Sequence, residues 1–369
     1  MPHDPYKALY LHLPFCVKRC AYCDFATAAV PAGAPEIEAY VEDLSLQIRR
    51  KAKEGELGAV ETVYLGGGTP SHVGLAGLSM LYTLSLSMHL TDEVECTMEA
   101  NPESLTERMV RDIWALGVNR LSIGVQSFDD DVLRTLGRAH SSDDARRAIE
   151  AARTRFENVS VDLMCGIPGQ SAESFEASVR EAVRLGATHV SVYPLTIEPH
   201  TPFDAAVLAG ELEEPDDDVE AAHMQIAARV LDSEGFERYE VASYARPGFA
   251  CRHNIAYWTG VPYLGLGRSA ATMTQNAQRR MRVKDGQVTD DLDPRQMVAE
   301  DLMLGMRMTA GVSDEHAARA AELLPEATTV LADLERQGFV EHEGGRWRPT
   351  ERGWLCGNEL YGALFDLAD

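Results

Sequence analysis

The chain has 369 residues, 45% hydrophobic and 25% charged, which is ample for a large packed core and excludes disordered, collagen-like and low-complexity classes. No run approaches the roughly 20 apolar residues of a membrane span, and the first residues lack an apolar signal core. With 34 basic against 58 acidic residues the net charge is −24, so the expected setting is the cytoplasm, without a nucleic-acid partner, because such a surface repels phosphate backbones. In chain order, strands are predicted over 8–13, 61–65, 94–99, 120–125, 159–164 and 189–193. Helices are predicted between them over 35–52, 75–90, 104–116, 141–155 and 171–185, with Ser104 and Ser171 at capping positions. These strand–helix units imply an α/β fold with a parallel sheet and right-handed crossovers, either open or curved into an incomplete barrel. The acidic run 211–220 reads as a solvated linker or a helix start. Residues 236–293 change character and are expected to connect two domains. From 294, helices over 295–308 and 326–338, a Gly344-Gly345 turn and a last helix from about 350 outline a smaller α+β, winged-helix-like domain. The acidic balance suggests that this domain packs or contacts protein. The expected division is 1–235, 236–293 and 294–369.

Parallel α/β folds place their chemistry at the C-terminal ends of the strands. Polar or glycine-rich tags follow these strands in that way. Cys16 follows the first, Gly66-Gly67-Gly68-Thr69-Pro70 the second, and Glu99 to Pro102 end the third. Gln126 follows the fourth and Asp162 sits in the fifth. Seven cysteines, an odd number, make a disulfide framework improbable, yet Cys16, Cys20 and Cys23 fall within eight residues. Three thiolates on one short loop suit three corners of a [4Fe–4S] cube, leaving one iron for a small-molecule chelate. Lys18 and Arg19 are expected to lower the thiol pKa values. A zinc site or unconnected thiols are the alternatives, although zinc favours paired two-residue spacings that are absent. The glycines let a ligand lie against backbone, with N–H groups free to bind it, or else form only a tight turn. Glu99 offers a carboxylate suited to ribose hydroxyls, Gln126 an amide, Arg138 a guanidinium and Asp162 a second carboxylate.

The run Tyr10-Leu-His-Leu-Pro-Phe-Cys16 through Cys20 and Cys23 to Phe25, with Gly-Gly-Gly-Thr-Pro, Glu-Ala-Asn-Pro and Gly-Val-Gln-Ser-Phe downstream, resembles the radical S-adenosylmethionine (SAM) superfamily. More narrowly it resembles the oxygen-independent coproporphyrinogen III oxidase-like family, from about Tyr10 to the C-terminus. The resemblance implies a partial (β/α)6 radical SAM barrel. It implies a [4Fe–4S] cluster on Cys16, Cys20 and Cys23. It implies SAM contacts from Tyr10, Tyr22, Gly67, Gly68, Thr69, Glu99, Gln126, Arg138 and Asp162, in one or two SAM positions.

Two features separate the branches of that family. Oxidases carry a further cysteine where Phe25 stands here, and a longer segment before the cluster motif. The segment His253-Asn254-Ile-Ala-Tyr257-Trp258 resembles the His-Asn-x-x-Tyr-Trp signature of the heme-chaperone branch. Histidine is a common heme ligand, Tyr and Trp offer flat apolar faces, and His253 and Tyr257 share a helical face. The plain alternative is a satisfied histidine beside two core aromatics, and Cys251 is a rival ligand. The chain departs from that branch at Arg268-Ser-Ala-Ala-Thr-Met273, which lacks a histidine. The resemblance implies a heme-binding protein that delivers heme to respiratory client proteins, with heme contacts from His253, Asn254, Tyr257 and Trp258. Oxidative decarboxylation of coproporphyrinogen propionates is the alternative activity. A homodimer and a peripheral membrane contact are both compatible with it.

Overall fold

A computed structural model describes residues 3–88, 90–91 and 93–368. Six strands, each followed by helix, build the first half: β1 (Ala8–Leu13), β2 (Thr62–Gly67), β3 (Glu95–Ala100), β4 (Arg120–Gln126), β5 (Asn158–Cys165) and β6 (His189–Pro194). The intervening helices are α1 (Pro35–Lys53), α2 (Leu75–Met88), α3 (Glu107–Ala115), α4 (Asp130–Thr135), α5 (Ser142–Arg153) and α6 (Ala172–Arg184), with α7 (Pro202–Leu208) and α8 (Asp217–Ser233) after β6. Neighbouring strands from β1 to β6 pair in parallel. This is the expected (β/α)6 arrangement.

The strands alternate in character. Leu9, Leu11 and Leu13, Val63 and Leu65, Leu121, Ile123 and Val125, and Val159, Val161 and Leu163 face helix residues such as Ile37, Leu44, Met80, Ile113, Ile149 and Phe175 in one core. The residues between them are polar: Tyr10 and His12, Tyr64, Glu99, Arg120 and Ser122, Ser160 and Asp162, and Ser191. A strand covered on both faces normally reads as a continuous apolar run. The alternation here leaves a polar inner face.

The residues from 236 onward extend the same sheet at both edges. Strands β7 (Glu237–Arg238) and β8 (Ser243–Ala245) join antiparallel beyond β6. After α9 (Arg252–Trp258), β9 (Tyr263–Leu266) lies parallel to β1, and β10 (Ala271–Asn276), β11 (Arg279–Lys284) and β12 (Gln287–Leu292) continue as antiparallel hairpins. The strand order is β12-β11-β10-β9-β1-β2-β3-β4-β5-β6-β8-β7, an open sheet with six βα units at its centre.

Some local expectations shift. Pro102 opens a 3-10 turn over Pro102–Ser104, so α3 starts later than expected and its cap is Thr106, whose hydroxyl accepts from Met109 N–H. Ser104 instead hydrogen-bonds Ser71 at 2.6 Å. Ser171 caps α6 as expected, and Ser141, not singled out in the sequence, caps α5. The acidic run ends in Asp216, the N-cap of α8. The expected extension of α2 beyond Met88 falls on His89, which lies outside the described residues.

The last part has its own core, formed by Leu302, Val312, Leu331, Phe339 and Leu360 among others. It contains α10 (Pro294–Gly305), α11 (Asp314–Ala321), α12 (Ala327–Arg336), the hairpin β14 (Val340–Glu343) and β15 (Arg346–Pro349) with β13 (Val312–Ser313) beside β15, then α13 (Glu351–Leu355) and α14 (Gly357–Phe365). Gly344 and Gly345 turn the hairpin at positive φ, 59° and 75°, as a two-residue turn requires. This is the winged-helix-like outline expected from the sequence.

Candidate functional site

The cysteine loop leaves β1 and is closed at its base by a short parallel pairing of Phe15–Cys16 with Ala28–Ala29. Cys16, Cys20 and Cys23 are free, half-buried thiols that border one cavity of about 370 Å³. Arg138 fixes this loop to the strand ends. Its guanidinium donates to Cys20 Sγ at 3.3 Å, Asn101 Oδ1 at 2.8 Å and Gly124 O at 2.6 Å. Burial raises the Cys16 and Cys23 thiols above their ordinary pKa, and the neighbouring cysteines add to it. The expected lowering by Lys18 and Arg19 is therefore reversed at these two positions, because desolvation outweighs an exposed cation.

The glycine run works by close approach. Gly67 has φ +110°, and a Cβ there would meet the His12 ring at 2.5 Å; one on Gly68 would sit 2.7 Å from Phe15 N. The N–H groups are already committed: Gly67 donates to Glu99 Oε2, Gly68 to Leu13 O and Thr69 to Phe15 O. The run therefore locks the end of β2 against the cysteine loop, rather than offering free donors as expected. Thr69 is buried beneath it and accepts from Asn101 Nδ2 at 2.8 Å.

Glu99 and Asp162 both line this cavity. Tyr64 donates to Glu99 Oε1 at 3.0 Å, and Ser122 donates to both Asp162 oxygens at 3.2 and 3.1 Å. Burial pushes the Glu99 carboxyl up to about 7, with the Asp162 charge adding and the two donors opposing. Burial also raises Asp162, against the pull of Arg120. Gln126 sits at φ 67°, where the β4–β5 register shifts. A non-glycine residue held there is strained, and such strain clusters at functional sites.

The cavity thus gathers Tyr22, Gly67, Gly68, Glu99, Gln126, Arg138 and Asp162 with the three cysteines, and also Asn254 from α9. Tyr10, Tyr257 and Trp258 border a second cavity of about 610 Å³ alongside it. His253 is 1% exposed and lines neither of the two. Its Nδ1 hydrogen-bonds Thr62 Oγ1 at 2.9 Å and its Nε2 the Tyr257 hydroxyl at 3.1 Å. Burial, helped by the Arg120 charge, lowers its pKa to about 3, so it stays neutral. Cys251, the rival ligand, is fully buried with its thiol raised to about 12 by burial.

Sequence reasoning missed Tyr64, Asn101, Arg120, Ser122, Ser191 and Tyr193, all of which line the first cavity. It also missed Glu95, whose carboxylate accepts from the N–H groups of Arg252 and His253 and so caps α9 from a neighbouring strand. The available signal was the polar residue at every second strand position.

Residues 10–182 match the Radical SAM superfamily and residues 292–356 the HemN C-terminal domain. Among curated relatives, the heme chaperone HemW of Bacillus subtilis is 33% identical over 97% of this chain and 99% of its own length. The heme chaperone HemW of Mycobacterium tuberculosis is 35% identical over 99% and 96%. A radical S-adenosyl methionine domain-containing protein 1 of Danio rerio, mitochondrial, is 33% identical over 96% and 84%. The solved coproporphyrinogen III oxidase HemN of Escherichia coli shares the fold, with a TM-score of 0.78 and 21% identity over 99% of this chain and 90% of that one. The chain belongs to the radical SAM superfamily and, within it, to the family of the heme chaperone HemW.

Superfamily membership implies a [4Fe–4S] cluster and SAM. The residues present fit both. Three free thiols border a common cavity, the glycines bring backbone to its wall, and the buried Nε atoms of Arg120 and Arg138 have no hydrogen-bond partner among the described residues.

Proposed function

We propose that the chain binds heme and hands it to a heme-requiring client, in the first place a respiratory protein. The observation that carries this reading is the position of α9: a single short helix contributes Asn254 to the cluster cavity and Tyr257 and Trp258 to the aromatic cavity beside it. The full-length likeness to proteins named heme chaperones supports the same reading. The oxidase reading draws on the shared fold and the HemN-type C-terminal domain, and Phe25 stands where the resembled oxidase motif has a further cysteine.

Cys16, Cys20 and Cys23 would hold the cluster, and Gly67, Gly68, Glu99, Gln126, Arg138 and Asp162 would hold SAM. When bound, the pair supplies one-electron chemistry. Arg138 keeps the cysteine loop in place through three hydrogen bonds and orients Cys20. Glu99, with its pKa near 7, holds or releases a proton at its carboxylate around neutrality while Tyr64 and Gly67 fix its orientation. His253 acts as a positioning residue, tying Tyr257 to the barrel through Thr62. The proposed working place is the cytoplasm, as in the sequence-based expectation. No helix among the described residues is long and apolar enough to cross a membrane.

The test is an anaerobic titration of the cluster-reconstituted protein with ferric heme, followed by mixing with a heme-free client. A saturable Soret band that moves to the client supports the reading. Protoporphyrinogen and CO2 from coproporphyrinogen III, with SAM and reductant, would replace it with the oxidase.

A further inference from the structure

The second cavity has a chemistry of its own. Its floor is Tyr10 and His12 from β1, its sides are α9 and the β10–β11 hairpin, and it shares Asp24, Phe25, Gly67 and Glu99 with the cluster cavity. The Tyr257 and Tyr263 rings meet edge-on, 4.7 Å apart, and the Arg307 guanidinium lies 5.0 Å from the centre of the Trp258 ring. Buried Met273 adds apolar surface.

Two cations line the same space, in a chain whose net charge is −24. Arg282 is held by Glu300 at 2.8 Å. Lys284, exposed at the end of β11, has no acidic partner within salt-bridge distance among the described residues. Glu300 and, at 3.8 Å, Asp290 stand against Arg282, which leaves Lys284 as the unpaired cation among the described residues of this wall; Asp24 and Glu99 line the wall shared with the cluster cavity, and Asp285 accepts from Ser269 N–H. A cavity of about 610 Å³ with aromatic walls, and with two cations two residues apart on one strand, suits a planar amphiphile bearing anions on one edge.

We infer that this cavity is a tetrapyrrole dicarboxylate site, with the macrocycle against Tyr257, Trp258 and Tyr263 and the two propionates on Arg282 and Lys284. This rests on the heme reading above and adds the place and the recognising charges. The wall shared through Asp24, Phe25, Gly67 and Glu99 sets the macrocycle beside the cluster cavity, with Gly67 and Glu99 common to both sites. His253, with both ring nitrogens engaged behind Tyr257, is not an iron ligand here.

The experiment titrates full-length wild type and Lys284→Glu with ferric heme and with heme dimethyl ester, whose propionates carry no charge. Lys284 is an exposed strand residue, so the substitution leaves folding intact. In Lys284→Glu the heme Kd is expected to rise about five-fold while the ester Kd stays unchanged. Trp258→Phe is expected to lose the largest share of heme-dependent fluorescence quenching among the chain's four tryptophans. Equal discrimination between heme and ester by wild type and Lys284→Glu, or unaltered quenching in Trp258→Phe, would overturn the placement and leave heme binding standing. No saturable heme binding by wild type would overturn both.

Discussion

The two neighbouring cavities are built on different principles. The cluster cavity is walled by parallel strand ends whose polar side chains are tied across strands: Tyr64 to Glu99, Ser122 to Asp162, Arg138 to Asn101. The second cavity is walled by a helix of about two turns and an antiparallel hairpin at the sheet's edge, with aromatic rings and two cations. Buried charge is costly unless paired, so the first wall is a closed network with little freedom. Aromatic rings and the exposed Lys284 carry no such obligation, although Arg282 is paired with Glu300, and the second wall is the less constrained of the two. In the proposed reading, the first cavity is the fixed polar site for cofactors and the second the site for cargo. Gly67, Glu99 and Phe25 are the places where the two meet.

Substitutions should separate the two cavities. The largest effect is expected from Cys20→Ser. After anaerobic reconstitution, iron per chain and the broad absorbance near 400 nm should fall to background, and Cys20→Ser iron content equal to wild type would remove the loop as the cluster's holder. Next comes Glu95→Ala, which strips the cap from α9 and leaves the buried His253 N–H and the part-buried Arg252 N–H without their partner. A loss of about 3 kcal/mol is expected in denaturant unfolding, with both cavities disturbed because α9 serves both.

Glu99 gives a pH signature confined to the first cavity. Its folded carboxyl holds a proton up to about pH 7, against 4.5 ordinarily. Between these values the folded state binds more protons, so Glu99 makes stability fall as pH rises from about 4.5 to 7, by up to about 3 kcal/mol. Glu99→Gln should flatten that part of the curve in the cofactor-free protein; an unchanged slope would show that the carboxyl is not held in this way. The smallest effect belongs to Phe25, which is 62% exposed. Phe25→Ala should change stability by no more than about 0.5 kcal/mol while altering the Soret band of bound heme, since the ring borders both cavities.

Much of the first cavity was legible in the sequence, because its residues come from tags at consecutive strand ends, and a parallel sheet brings such ends together whatever the details. The helix cap at Ser171 was legible from its local pattern. Thr106 was not, because the turn set by Pro102 displaces the start of α3. Arg120, Ser122 and Tyr64 were hidden inside runs that look apolar overall, and only the two-residue alternation gives them away. The second cavity was largely illegible. It depends on β9 pairing in parallel with β1, Ala8 opposite Tyr263, a contact between distant parts of the chain that no local pattern encodes. That pairing brings Arg282 and Lys284 to the cysteine loop. Tyr257 and Trp258 were found through their motif, but the seclusion of His253 behind them follows from Thr62 and Glu95, which the motif does not contain.

The most direct test of two separate sites is a ferric heme titration of the Cys16→Ser, Cys20→Ser, Cys23→Ser triple variant beside wild type, at matched thermal stability. The expected result is a variant without iron–sulfur absorbance whose heme Kd stays within about two-fold of wild type. Loss of heme binding together with the cysteines would contradict the separation and place the cargo in the cluster cavity itself.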